Sequence, residues 1–422
     1  MRRFLLFLLG ALCTLQLCTL WYERNHIEDI IKEKTSLDDK TLNYKKLMIN
    51  NYVISSIFMC VILMIFIQTP KIMSKCLGRS LLFGFFLCFI IIRATCYYYQ
   101  IFVVESKFSF NVMGFSAFFE ELFKISLTDI SIAVICYVIL RRRLNNLINL
   151  SKIPLFLVDP IDVEDEESIL ETEDDCFSTN FQNILAIYFV LSVALLFRSI
   201  IHDSYEFDFM KTLKFDEAGF PEHVKSLIDI NSSFQTSKIL FGVSRKTLKA
   251  NIKTKGIFSP TIIFSVNYFY YLTPKEISTY SPMVSSMINS RDNLKIIMLN
   301  EIRISIFVIL LFITIRIGFE DFYTDSSFYP QLSLIVSFSI FYIINFFANV
   351  FFNSFERSIS HNHICMSAIA HQNLGHIFAK IEKINANNYE PTILFKYLYT
   401  SDPSLNDNLM SIEYCLKKTQ KP

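Results

Sequence analysis

The sequence predicts a mainly α, polytopic membrane protein of about seven transmembrane helices, with one small α+β soluble domain. Three observations carry that reading. The 422 residues are 52% hydrophobic and only 19% charged, against about 25% charge in an ordinary soluble domain. Phe alone contributes 43 residues, more apolar surface than one soluble core can hide. Seven stretches approach the roughly 20 mostly apolar residues that cross a bilayer. They are Phe4–Trp21, Tyr52–Gln68, Ser80–Val104, Phe118–Leu140, Phe181–Ile201, Ile302–Phe319 and Gln331–Phe352.

The first of these follows Arg2 and Arg3 and would also suit a signal peptide. No small-x-small cleavage site follows it, so it is read as a span. Spans one to five occupy residues 1–201. Within them the stretch 159–175 has no basic residue and reads as an acidic, solvated linker. Residues 202–301 form the one insert long enough for a soluble domain. There Ser237–Gly242 and Ile257–Val266 read as short strands. Spans six and seven fill 302–353. The tail, 354–422, shows helical periodicity at Ile377, Ile381 and Ile384. The ionisable residues Arg93, Glu120, Glu121, Asp129, Arg198 and Arg316 fall in or beside spans and should face a bundle interior. Arg93 is expected to meet Glu120 or Glu121.

Several function classes are excluded early. Lys+Arg number 40 against 39 Asp+Glu, which gives no charge-based case for a nucleic-acid partner. No GxxxxGK or GxGxxG occurs, so a phosphate-cradling loop has no support. Ten Cys are scattered without a CxxC pair. Several lie in apolar runs and read as membrane-buried free thiols rather than a disulfide framework. A seven-span receptor would suit the long insert, but no NPxxY or DRY-like triplet stands where one is needed. A transporter would be favoured by internal repeats, and none is found.

At Phe102–Asn111 the chain reads FVVESKFSFN. This resembles the FVxExKxxFN signature of the CAAX prenyl proteases, the a-factor-converting, prelamin-processing family of seven-span zinc metallopeptidases. The likeness continues in order along the chain. Lys211–Lys246 is similar to the family's aromatic-rich exit from the membrane, helix and strand. Asn251 and Gly256 match its edge strand, and Ile377–Asn387 its closing helix. Thr400–Leu409 (TSDPSLNDNL) resembles its SHPxxxxRL element. The resemblance implies a membrane chamber, a metallopeptidase-like insert and tail on the cytoplasmic side, an endoplasmic reticulum or nuclear envelope location, and prenylated CAAX proteins as clients. Loop charge is split on orientation: the loop between spans six and seven has no Lys or Arg, yet Arg141–Arg143 lie on its side.

Such an enzyme needs HExxH on one helix face, two His for zinc and a Glu to polarise water. Here the resemblance sets Met283 and Met287 at the two zinc positions and Val284 at the base position, with Pro282 just before them. The third ligand position falls on His361, and the Asp four residues later on Cys365. Of the substrate-binding positions Asn251 is retained, while Asp402 and Asn408 replace His and Arg. Thioether sulfur is a poor zinc ligand, and Val cannot act as a base. The expectation is a degenerate site with no cofactor.

Zinc would return only to a site rebuilt from His361, His363, Cys365, His371 or His376, with Glu301 or Asp292 as base. The segment AHQNLGH imitates HExxH, but His371 and His376 are five apart, about 140° round a helix, and Gln372 replaces the Glu. These His read as surface or cavity-lining residues.

Overall fold

The computed structural model describes residues 2–32, 39–68, 81–151, 181–198, 200, 210–214, 239–244, 247–250, 252–255, 261–273, 275–276, 279–290, 292–317, 329–370, 374–387 and 389–419. Seven helices among them are long and apolar enough to cross a membrane, and each falls on one of the seven stretches read from the sequence. They are α1 (Arg2–Lys32), α2 (Asp39–Gln68), α3 (Leu81–Tyr98), α4 (Phe115–Ser151), α5 (Phe181–Arg198), and α7 (Asp292–Ile317) and α8 (Tyr329–Ala370) beyond the insert. A π-helical turn, Tyr99–Glu105, prolongs α3. The acidic linker lies outside the described residues.

Packing follows from which faces carry apolar residues. On α5 the exposed large side chains Phe181, Leu185, Phe189, Val193 and Phe197 recur every fourth residue. On α4, Phe119, Phe123 and Leu127 do the same. Stripes of this kind have no partner in water and suit lipid. The inward faces interlock instead: Leu9, Leu63, Phe85 and Ile335 join α1, α2, α3 and α8 in one cluster.

Four of these helices outrun their apolar segments at the same end. The C-termini of α1 and α8 and the N-termini of α2 and α7 all project toward the insert and tail. Polar sequence hides these extensions, because length beyond the hydrocarbon core is not constrained by lipid. The α1–α2 tip then meets the tail: Ile27, Leu42 and Ile49 pack with Tyr389 and Phe395. Buried Glu23 accepts hydrogen bonds from the Tyr389 hydroxyl (2.7 Å) and the Thr392 amide (3.0 Å).

The insert contributes a four-stranded sheet, β1 (Met210–Lys214), β2 (Ile239–Ser244), β3 (Ile252–Lys255) and β4 (Thr261–Ser265), in the order β1-β2-β4-β3. β2 pairs parallel with β4; the outer pairs are antiparallel. Ile262 and Ile263 on central β4 are both buried, as expected when both faces of a strand are covered. The two strand expectations hold with shifted ends, and β3 falls on the edge strand that the resemblance implies. The helix implied before β2 falls outside the described residues.

After the sheet come α6 (Ser281–Ser290), then α7 and α8, and in the tail α9 (Leu374–Ile384), α10 (Ile393–Tyr399) and α11 (Leu405–Thr419). α9 buries Leu374, Ile377, Phe378 and Ile381, one apolar stripe of a 3.6-residue period. Ser404 and Asp407 cap α11 reciprocally: each side chain accepts from the other's amide, at 3.2 and 3.1 Å.

The FVVESKFSFN segment is a joint between membrane and insert. The Glu105 carbonyl accepts from the amides of Phe108, Phe110 and Asn111, and Ser109 takes a positive φ of 60° in the turn. Asn111 then bridges to Thr247, and the Phe110 carbonyl accepts from the Leu248 amide at 2.9 Å. Lys249 closes the joint on the Glu105 carboxylate (3.7 Å) and the Tyr44 hydroxyl (2.5 Å).

Two expectations are corrected. Cys13, Cys18, Cys60, Cys88, Cys96 and Cys136 are free thiols, but Cys365 and Cys415 form a disulfide between α8 and α11, with Cα atoms 5.7 Å apart. Their 50-residue separation leaves no spacing pattern to read. Such bonds are rare in a reducing cytosol and persist in oxidising lumens; the cytoplasmic tail that the resemblance implies would hold this pair as thiols. Arg93 meets Asp129, with Nη1 2.8 Å from Oδ2, not Glu120 or Glu121. Glu120 pairs with Lys124 within α4, and Glu121 accepts from the Tyr97 hydroxyl at 2.7 Å. The reason is register: α3 and α4 fold back about Asn111, and positions 93 and 129 both lie 18 residues from it.

Candidate functional site

The residues that the resemblance sets at the zinc site lie on α6 and α8. Pro282 sits in the first turn of α6, where its missing N–H costs nothing, so the helix carries Met283, Val284 and Met287 as expected. Met283 and Met287 are one turn apart and share a face. Both pack against a core cluster containing Tyr268, Tyr280, Ile364, Ala368 and Leu374. This is thioether filling an apolar interior, the ordinary use of Met.

The neighbouring polar contacts run through His363. Its Nδ1 is 2.8 Å from Ser286 Oγ on α6, and its Nε2 is 2.5 Å from Asp292 Oδ2 at the start of α7. His363 and Asp292 are buried. With the proton on Nε2 donated to the carboxylate, Nδ1 accepts from the Ser286 hydroxyl. Asp292 is held in turn by Lys295 at 3.1 Å. One imidazole on α8 thus ties down α6 and α7 by hydrogen bonds.

His361 points elsewhere. Its Nδ1 is 2.5 Å from Ser411 Oγ on α11, so it faces the tail rather than α6. Cys365, in the disulfide, faces the same helix. His376 is exposed on α9, while Asn251, His371 and Gln372 lie outside the described residues. Glu301 is inside the spans, accepting from Ser192 (2.6 Å) and Tyr188 (3.2 Å). Asp402 is exposed and Asn408 buried. The structure therefore does not bring Met283, Met287 and His361 onto one centre, and it brings in Ser286, His363 and Asp292. Sequence reasoning named His363 and Asp292 only as members of rebuilt metal sites, and Ser286 not at all. Contacts 71 and 77 residues apart leave no local signal.

Among the described residues no group of three or more His, Cys, Asp or Glu could hold a metal ion. Met283 and Met287, set in an apolar cluster, do not fit zinc as a donor set either.

Behind the site, Arg357 on α8 is buried and donates from Nη1 to the Lys396 and Thr400 carbonyls, at 2.8 and 2.6 Å. Its guanidinium also stacks over Tyr397, 4.7 Å from the ring centre. It satisfies the C-terminal carbonyls of α10, which helix geometry leaves without partners.

Glu382 on α9 is pushed up to about 7. Burial is the main cause and Asp402 adds to it, while Lys45 and a hydrogen bond from Asn387 oppose it. A carboxyl held above its unfolded value binds its proton more tightly in the fold. Its contribution is complete below about pH 4.5 and fades as pH rises through about 7. Stability is expected to fall by on the order of 2 kcal/mol between pH 5 and 8. Unfolding midpoints across that range, compared with Glu382→Gln, check this: the variant should flatten the slope.

Within the spans two cavities lie side by side. One, about 640 Å³, is walled mainly by apolar residues of α3, α4, α5, α7 and α8. The other, about 660 Å³, reaches Glu105 and Thr247 at the insert. Phe89 and Arg93 line both.

Seven membrane-length helices around internal cavities, with the sheet and helical tail gathered at one end, define a polytopic protein built round an intramembrane chamber. Over 97% of its length the chain is similar to the crystal structure of S. mikatae Ste24p, covering 99% of that chain with a TM-score of 0.65 and 15% identity. At that identity the likeness is one of fold. No family model matches the sequence, and no curated protein matches it.

Proposed function

We propose that the protein is a non-hydrolysing relative of the CAAX prenyl proteases. It keeps the chamber and binds prenylated or other membrane-borne clients without cutting them. In this reading it resides in the endoplasmic reticulum membrane or nuclear envelope. The carrying observation is the packing of Met283 and Met287 against the apolar cluster that contains Ile364 and Ala368. A zincin ties its HExxH helix to a later helix through the metal. Here Ser286, His363 and Asp292 make the corresponding tie with hydrogen bonds. Such a site needs no zinc to stay assembled, and Val284 at the position of the family's base cannot activate water.

The test is hydrolysis of a farnesylated CAAX peptide by the purified protein, with and without a zinc chelator. The account expects no release of the terminal tripeptide above the detergent blank, and retention of the peptide in pull-down. Chelator-sensitive release would refute it.

A second reading rests on the same hydrogen bonds. Serine, histidine and aspartate in series are also the parts of a nucleophilic triad. Among the described residues, the linings of the two cavities above do not include any of the three; His363 is buried, which favours the structural tie. Labelling by a fluorophosphonate that disappears in Ser286→Ala would favour catalysis instead.

A further inference from the structure

We infer that the apolar cavity of the spans is a binding site for one single-chain anionic lipid, its head held by Arg93 and Arg198. The inference stands apart from the fate of the zinc site. It starts from an imbalance of charge. Asp129 is shared by two guanidiniums: Arg93 Nη1 lies 2.8 Å from Oδ2, and Arg198 Nε 2.7 Å from Oδ1. One carboxylate neutralises one arginine and leaves the second over. Arg303 lines the same cavity. It donates to Asn300 at 3.1 Å, stacks on Phe352 and feels the charge of Glu356, and its buried Nε has no hydrogen-bond partner among the described residues. Of the Arg, Lys, Asp and Glu residues lining the cavity among those described, three are cations and one is an anion.

An arginine in the hydrocarbon is expensive unless it is paired or wetted. An anion brought by a ligand supplies the missing partner. The cluster is also reachable: the side chains of Arg93, Arg198 and Asp129 keep 44%, 40% and 27% of their surface.

The rest of the lining selects the body of the ligand. Phe85, Phe86, Phe89, Phe338 and Phe341 wall the cavity, and its volume of about 640 Å³ lies within the roughly 300–1,000 Å³ range of small-molecule sites. A peptide would leave its backbone groups unsatisfied against such walls. A hydrocarbon chain would not. Direction follows from α3 and the π-helical turn that prolongs it, which run from Leu82 at the far end of the cavity through Arg93 to Glu105 at the insert. The head therefore lies nearer the insert, and the chain extends away from it. Carboxylate and phosphate heads both suit two guanidiniums, each able to form paired hydrogen bonds.

The test is binding of radiolabelled oleate to the full-length protein in an uncharged detergent, with oleyl alcohol and oleoyl lysophosphatidate as competitors. We expect saturable binding of about one oleate per chain, displaced by the lysophosphatidate and at least about tenfold less well by the alcohol. Arg198→Gln leaves the Arg93–Asp129 pair intact and should weaken oleate about tenfold. Asp129→Asn removes the competing carboxylate and should bind oleate at least as tightly as the unaltered protein, which a merely structural role for the cluster would not give. Equal displacement by the alcohol, unchanged binding in Arg198→Gln, or parallel loss in both variants would overturn the inference.

Discussion

Replacing His363 with alanine is expected to lower stability by about 2–4 kcal/mol. The change removes a buried ring that satisfies two partners. It leaves Ser286 without this acceptor and buried Asp292 with its contacts to Lys295 and Ser290. Breaking a buried pair costs about 3–5 kcal/mol when nothing replaces the lost partner, and the retained Lys295 contact brings the figure down. His361→Ala, two residues away on the same helix, loses a single bond to Ser411 and should cost about 1 kcal/mol. Thermal unfolding of the two variants in one detergent compares them directly. Equal losses would contradict the central place given to His363. The loss should also be independent of added zinc, because hydrogen bonds alone make the tie.

Arg357→Ala should be of similar size, about 2–4 kcal/mol. Its guanidinium is buried, donates to two carbonyls at the end of α10 and stacks on Tyr397. Charge-assisted hydrogen bonds contribute about 1.5–3 kcal/mol, and deletion leaves both carbonyls without this donor. Arg357→Lys should recover less than half of the loss, because an ammonium cannot reproduce the planar fork. Protection of α10 amides from hydrogen exchange locates the effect. Loss of protection confined to α10 and its contact with α8 is the expected pattern.

How much of this was legible in the chain depends on the range of the interaction. The spans were legible because lipid imposes a minimum apolar length, and Phe181–Ile201 or Gln331–Phe352 shows it without any partner. The stripe at Ile377, Ile381 and Ile384 was legible because a 3.6-residue apolar period marks the inward face of a helix. The projecting ends of α1, α2, α7 and α8 were not: once a helix leaves the hydrocarbon, polar sequence reads equally as helix or loop. Partners were hardest. The sequence alone offers Arg93 the carboxylates of Glu120 and Glu121 first, although equal distances from the turn at Asn111 point to Asp129. The Cys365–Cys415 bond and the Ser286–His363–Asp292 tie arise only where α8 packs against α6, α7 and α11. Of the residues set at the zinc site by resemblance, Met283 and Met287 lie together on one apolar face. His361 turns to Ser411 instead.

The central claim, that an apolar core and a hydrogen-bonded tie stand where a zinc centre would be, is tested most directly by metal content. The purified, detergent-solubilised protein would be assayed for zinc before and after incubation with a slight excess of Zn²⁺ and removal of the free ion. The account predicts no tightly held zinc in either sample, and an unfolding midpoint unmoved by the metal. About one zinc per chain, lost on replacing His363 or His361, would contradict it and would mean that the site has been rebuilt from other ligands.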